Sequence, residues 1–154
     1  MNWGHPMRMC PSSIAGALAI LALTSVAASQ GQSGRTLETA LTGAAEVPGP
    51  GDADGSGTAS LELRQGQGEV CFEITWKNIE DPTAAHIHKG AVGVAGPVVV
   101  LLFEKRMKDN RASGCVEGVD RELIKDIRQN PENYYINVHN EPFPPGAIRG
   151  QLGK

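Results

Sequence analysis

Gly57-Thr58-Ala59-Ser60-Leu61-Glu62-Leu63-Arg64-Gln65-Gly66-Gln67-Gly68-Glu69-Val70-Cys71-Phe72-Glu73-Ile74-Thr75-Trp76 is the stretch whose reading decides the fold. Successive side chains of a strand point to opposite faces, so a half-buried strand alternates apolar and polar residues. Ala59, Leu61 and Leu63 alternate with Thr58, Ser60, Glu62 and Arg64. Val70, Phe72, Ile74 and Trp76 alternate with Glu69, Cys71, Glu73 and Thr75. The Gly-containing link Gln65–Gly68 is turn-forming, so the two runs predict a β-hairpin with Trp76 in the core.

The same alternation, applied outward, predicts strands elsewhere. Thr36 to Glu46 reads as a first strand anchored by Leu37 and Leu41, and the Pro/Gly-rich 47–55 segment ends it. Thr83–Lys89 and Tyr134–Asn140 are strands carrying histidines, and Val98–Phe103 is a buried one. Gly90–Pro97, with three glycines, reads as a flexible loop beside the histidines. No helix follows it, so it is not a phosphate cradle. Gly114–Val119 is a short strand, and Ala147–Leu152 the last. Asp120–Asn130 is the one helix expected, with Asp120 as N-cap, a stripe of Leu123, Ile124 and Ile127, and Pro131 as stop. About eight strands and one short helix predict an all-β fold, an antiparallel Greek-key β-sandwich or barrel.

His86 and His88 share one strand face, and Ala85 and Ile87 the other. In the second segment Tyr134, Ile136 and Val138 form the apolar face, and Tyr135, Asn137 and His139 the other. Residues i and i+2 lie roughly 6.6 Å apart, so both imidazoles can reach one ion and a third can join from a neighbouring strand. Imidazole suits zinc, copper, iron or nickel, and copper(II) tops the affinity order. Occupancy should then fall as pH drops through roughly 6.5, where histidine ordinarily titrates. The competing reading is that the three histidines only hydrogen-bond to loop backbone. Neither Cys-x-x-Cys nor His-Glu-x-x-His is present.

The chain has 154 residues, enough for one domain. Residues 1–29 read as a secretory signal: Arg8 supplies the positive charge, Ile14–Ala28 the apolar run, and small residues permit cleavage after Ala28 or Ser29. An uncleaved anchor is the alternative, but the run is short for a bilayer. Residues 30–35 form a flexible lead-in, and 36–154 the domain. Removing 1–29 leaves 13 basic and 17 acidic residues, net −4. With no basic stripe, nucleic acid is not expected as a partner, and the membrane is met only through the export signal. Cys71 and Cys115 remain after cleavage, and an oxidising compartment predicts that they are bonded, the alternative being two buried thiols. The bridge would close a loop of about 45 residues and contribute about 3–4 kcal/mol.

Five ordered segments resemble the CHRD domain: Leu41–Pro48, Ala84–Gly90, Gly96–Val99, Tyr135–His139 and Gly146–Leu152. The resemblance implies an extracellular β-rich domain, with an extracellular partner of unknown identity. A second similarity, in site layout alone, is to the Cu,Zn superoxide dismutases. Those are Greek-key barrels with a His-x-His pair, a later copper histidine and an anion-guiding arginine, the order in which His86, His88, His139 and Arg149 fall. The bridging histidine and the zinc ligands of that family have no counterpart here. The similarity therefore implies a copper-only site, with Arg149 and Asn137 as supporting or anion-guiding residues. Glu46 and Arg149, the charged members of two of the CHRD-like segments, are expected either to pair or, for Arg149, to line the histidine site. A secreted copper-binding domain is favoured over an enzyme. The alternatives are a matrix or binding module with structural histidines, and a copper-dependent oxidoreductase of superoxide dismutase type.

Overall fold

The computed structural model describes residues 34–153, with Met1 and Trp3 besides. The segment read from the sequence as an export signal, and the lead-in up to residue 33, otherwise lie outside the described residues. Eight strands follow: β1 (Arg35–Thr42), β2 (Ser56–Arg64), β3 (Glu69–Lys77), β4 (Ala84–Lys89), β5 (Val98–Phe103), β6 (Arg111–Val116), β7 (Tyr134–His139) and β8 (Ile148–Gln151). Among the described residues one α-helix, α1 (Arg121–Gln129), lies between β6 and β7. All pairings are antiparallel, in the order β5-β4-β7-β8-β1-β2-β3-β6. The two end strands β5 and β6 approach each other without a ladder, so the sheet curls into one nearly closed barrel. β7 returns to lie beside β4, the first strand of the β4–β5–β6 run, and this is the Greek-key connection. The eight-stranded barrel is thus one sheet rather than a two-sheet sandwich.

The β2–β3 hairpin holds the expected register, with Leu61 opposite Phe72 and Ala59 opposite Ile74. Its apolar face fills the core: Leu61, Leu63, Val70 and Ile74 are fully buried, and Trp76 is 1% exposed. Asp120 caps α1 by accepting from the Glu122 amide, and Ile124 and Ile127 bury the helix stripe. Pro131 ends α1 and opens a single 3₁₀ turn, Pro131–Asn133.

Three boundaries differ from expectation. β1 ends at Thr42, because Gly43–Ala45 turns into a 3₁₀ segment and swings Glu46 inward. The cysteine strand begins at Arg111 rather than Gly114: Cys71 faces Cys115 directly, and that register lays Arg111–Gly114 along β3. β8 is confined to Ile148–Gln151. The two sulfurs are bonded, joining edge strand β6 to β3 across positions with Cα atoms 3.9 Å apart. Such bridges persist in oxidising compartments.

Candidate metal centre

β4 and β7 are adjacent and antiparallel, with His86 opposite Asn137, His88 opposite Tyr135, and Ala84 opposite His139. Ile87, Ile136 and Val138 are buried in the barrel. The opposite face therefore carries His86, His88, Tyr135, Asn137 and His139 together. One ring nitrogen from each histidine lies within 4.8 Å of the others. His86 Nδ1 and His139 Nε2 are 3.0 Å apart. The His86 and His88 rings meet edge to face at 5.7 Å.

Backbone carbonyls decide the tautomers. His88 Nδ1 lies 2.8 Å from the Gly96 carbonyl oxygen, and His139 Nδ1 2.9 Å from that of Pro144. A carbonyl only accepts, so each Nδ1 bears the proton and each Nε2 presents a lone pair. The His88 Nε2 is buried and has no hydrogen-bond partner. His139 Nε2 accepts from His86 Nδ1 at the distance above. Backbone carbonyls that orient imidazoles in this way are the usual support of metal-ligating histidines.

Electrostatics keep the cluster neutral. Burial, then the neighbouring His139 and His88, lowers the His86 pKa to about 4. Burial also lowers His88 and His139, opposed in each by the carbonyl that its Nδ1 meets. Neutral imidazoles are what a cation needs.

The Gly90–Pro97 loop lies beside the histidines as expected, but it is pinned rather than free. Arg149 Nη2 donates to the Ala91 and Val94 carbonyls at 3.1 and 3.0 Å. Gln151 Nε2 donates to the Gly90 carbonyl, and the Gly96 amide donates to the Tyr135 hydroxyl. A Cβ on Gly96 would sit 1.7 Å from the Lys89 carbonyl oxygen, so only glycine allows this close return of the chain. Tyr135 stacks on His88 with centroids 4.7 Å apart, and the Arg149 guanidinium lies 3.4 Å from the Tyr135 centroid.

Arg149 is 2% exposed and faces Asn137 across β7 and β8. Asn137 Nδ2 donates to Glu46 Oε2 at 3.2 Å. No hydrogen bond joins Glu46 to Arg149; Glu46 Oε1 and Arg149 Nη1 are both buried without partners. Burial raises the Glu46 pKa to about 7, against the pull of Arg149 and Asn137. A Cβ on Gly146 would meet Glu46 Oε2 at 2.4 Å and Asn137 Oδ1 at 2.6 Å, which accounts for glycine there. Tyr135 and the carbonyls of Gly96 and Pro144 were missed at the sequence level. Tyr135 shares the alternating face of His139, a signal that gives its side but not its stacking partner.

A family model described as CHRD domain matches residues 37–152. No curated protein and no solved structure matches the chain.

Proposed function

The chain belongs to the CHRD domain family, and we propose that this member is an exported metal-binding domain that holds one copper ion on His86, His88 and His139. The observation that carries this reading is the convergence of one ring nitrogen from each of the three histidines within 4.8 Å, together with a buried His88 Nε2 that has no hydrogen-bond partner. An orphaned buried acceptor costs about 1–3 kcal/mol, which favours a ligand role for His88 over a purely structural one. His86, His88 and His139 would hold the ion, and an all-imidazole ligand set suits copper(II), which tops the affinity order. To bind, His86 would either change tautomer, its Nδ1 proton leaving to solvent while Nε2 takes one up, or turn its ring so that the lone pair of Nε2 faces the ion.

The dismutase reading draws less support. Arg149 is buried, and its Nη2 is committed to two loop carbonyls, so it braces the loop that orients His88. Export is supported by the Cys71–Cys115 bridge and by the segment 1–29 read from the sequence.

Copper(II) titration of the metal-free protein, of each single alanine variant at His86, His88 and His139, and of Lys89→Ala tests the proposal. The wild type and Lys89→Ala should bind one ion at sub-micromolar concentration, and each histidine variant at least tenfold more weakly. Equal binding by all five proteins, or none tighter than micromolar, makes the histidines structural.

A further inference from the structure

Tyr135 lies directly opposite His88 in the β4–β7 ladder. Side chains directly opposite each other in a sheet share a face, with Cβ atoms about 4.5–5.5 Å apart. The Tyr135 ring lies nearly parallel to the His88 imidazole, with 11° between the planes and centroids 4.7 Å apart. Arg149, on β8, is opposite Asn137 and so diagonal to Tyr135, and its guanidinium lies 3.4 Å from the Tyr135 centroid. β4 and β8 flank β7 on opposite sides. The ring is therefore covered on both faces, by the imidazole on one and the guanidinium on the other, and it cannot tilt without displacing one of them.

The hydroxyl of Tyr135 reaches the loop. It accepts from the Gly96 amide at 3.1 Å, and the Gly96 carbonyl oxygen lies 2.8 Å from His88 Nδ1. One residue is thus held by Tyr135 through its amide and holds His88 through its carbonyl. Tyr135 grips His88 twice, by its ring on the imidazole face and through Gly96 on the imidazole edge. The face contact fixes the plane of the ring, and the edge contact fixes which nitrogen bears the proton. Space filling accounts for a buried ring, but not for a hydroxyl that closes on the residue carrying His88. His139 supplies the contrast, because its Nδ1 meets the Pro144 carbonyl, in the turn after β7 and outside the loop that Tyr135 holds.

We propose, resting on the three-histidine copper reading, that Tyr135 is a positioning residue for the metal centre. Its ring and hydroxyl together lock His88 in the plane and tautomer that keep Nε2 free for the ion, and Arg149 backs the ring from behind. Partners that orient metal-ligating histidines are worth about 10–100-fold in metal affinity. Tyr135→Phe keeps the stack and removes the hydroxyl, and Tyr135→Leu removes both.

Two measurements on the full chain and these two variants test the proposal. Nitrogen-15 NMR of the metal-free proteins, labelled at histidine, reads the tautomer of each ring. In the wild type His88 and His139 should both carry the proton on Nδ1. In Tyr135→Phe His88 should become a mixture of tautomers, while His139, held by Pro144, stays as it was. A merely structural role would disturb both rings or neither. Copper(II) titration should find Tyr135→Phe about tenfold weaker than the wild type and Tyr135→Leu about 100-fold weaker. If Tyr135→Leu does not fold, Tyr135→Phe alone decides. A His88 tautomer unchanged in Tyr135→Phe, or His88 and His139 scrambled alike, overturns the proposal. Copper binding by Tyr135→Phe as tight as that of the wild type does so too. A wild type that binds no copper would instead overturn the copper reading, and this role at a metal centre with it.

Discussion

Replacing Glu46 by glutamine should change how stability depends on pH, and the size follows from the buried carboxyl group. Its pKa rises from 4.5 to about 7 on folding. Between those values the folded chain holds a proton that the unfolded chain releases. The stability this group contributes is fully present below 4.5 and is lost as pH rises through 7. At about 1.36 kcal/mol per pKa unit, the loss is on the order of 3 kcal/mol. The histidines work in the opposite sense over an overlapping range: His86, neutral down to about 4, contributes stability present above 6.5 and lost as pH falls through 4. The wild-type curve alone therefore mixes the two effects, and the difference from Glu46→Gln isolates the carboxyl group. Urea unfolding of both chelator-treated proteins, followed by Trp76 fluorescence from about pH 4.5 to 8, measures that difference. The two should be nearly equal in stability at the acid end. Glutamine should gain on glutamate steadily, by about 3 kcal/mol above pH 7. Parallel curves would refute the reasoning. A wild type that gains on the variant as pH rises would show that attraction to Arg149 outweighs burial.

Three other outcomes follow from the same geometry. Trp76→Ala should destabilise the fold by about 3–5 kcal/mol, and a loss under about 1 kcal/mol would contradict its burial. The denatured, unreduced protein should titrate no thiol from Cys71 or Cys115, and Cys71→Ala/Cys115→Ala should lose about 4 kcal/mol, given the sequence separation of 44. Acidification of the copper-loaded protein should expel the ion below pH 6.5 rather than at it, because burial lowers all three imidazoles and holds His86 at about 4. Half-loss of copper absorbance above 6.5 would contradict that.

Alternation carried most of what was legible in the sequence. It put Leu61 and Phe72 in the core, and it put His86, His88 and His139 on one face, because side-chain direction in a strand is a local property. Long-range contacts were not legible. Arg111-Ala112-Ser113, with one small apolar residue between two polar ones, has no strand signature of its own and is held on β3 by the Cys71–Cys115 register. Glu46 reads as part of a surface strand until the Gly43 turn tucks it under. Arg149 shows its charge in the sequence, but not the two loop carbonyls that occupy it. Those partners lie more than fifty residues away and meet it only when the barrel closes.

The placement of the bridge has a consequence for proteolysis. Residues 72–114 lie between the two bonded cysteines, and that span holds His86, His88 and the whole pinned loop, whose Val92 is 77% exposed. A protease could reach the loop at its exposed Val92. A single cut there would leave both halves joined through sulfur and still laddered into the sheet on either side. Such a nicked chain would run as one species until reduced and as two afterwards. It would keep its two β4 histidines attached to the β7 histidine through the barrel.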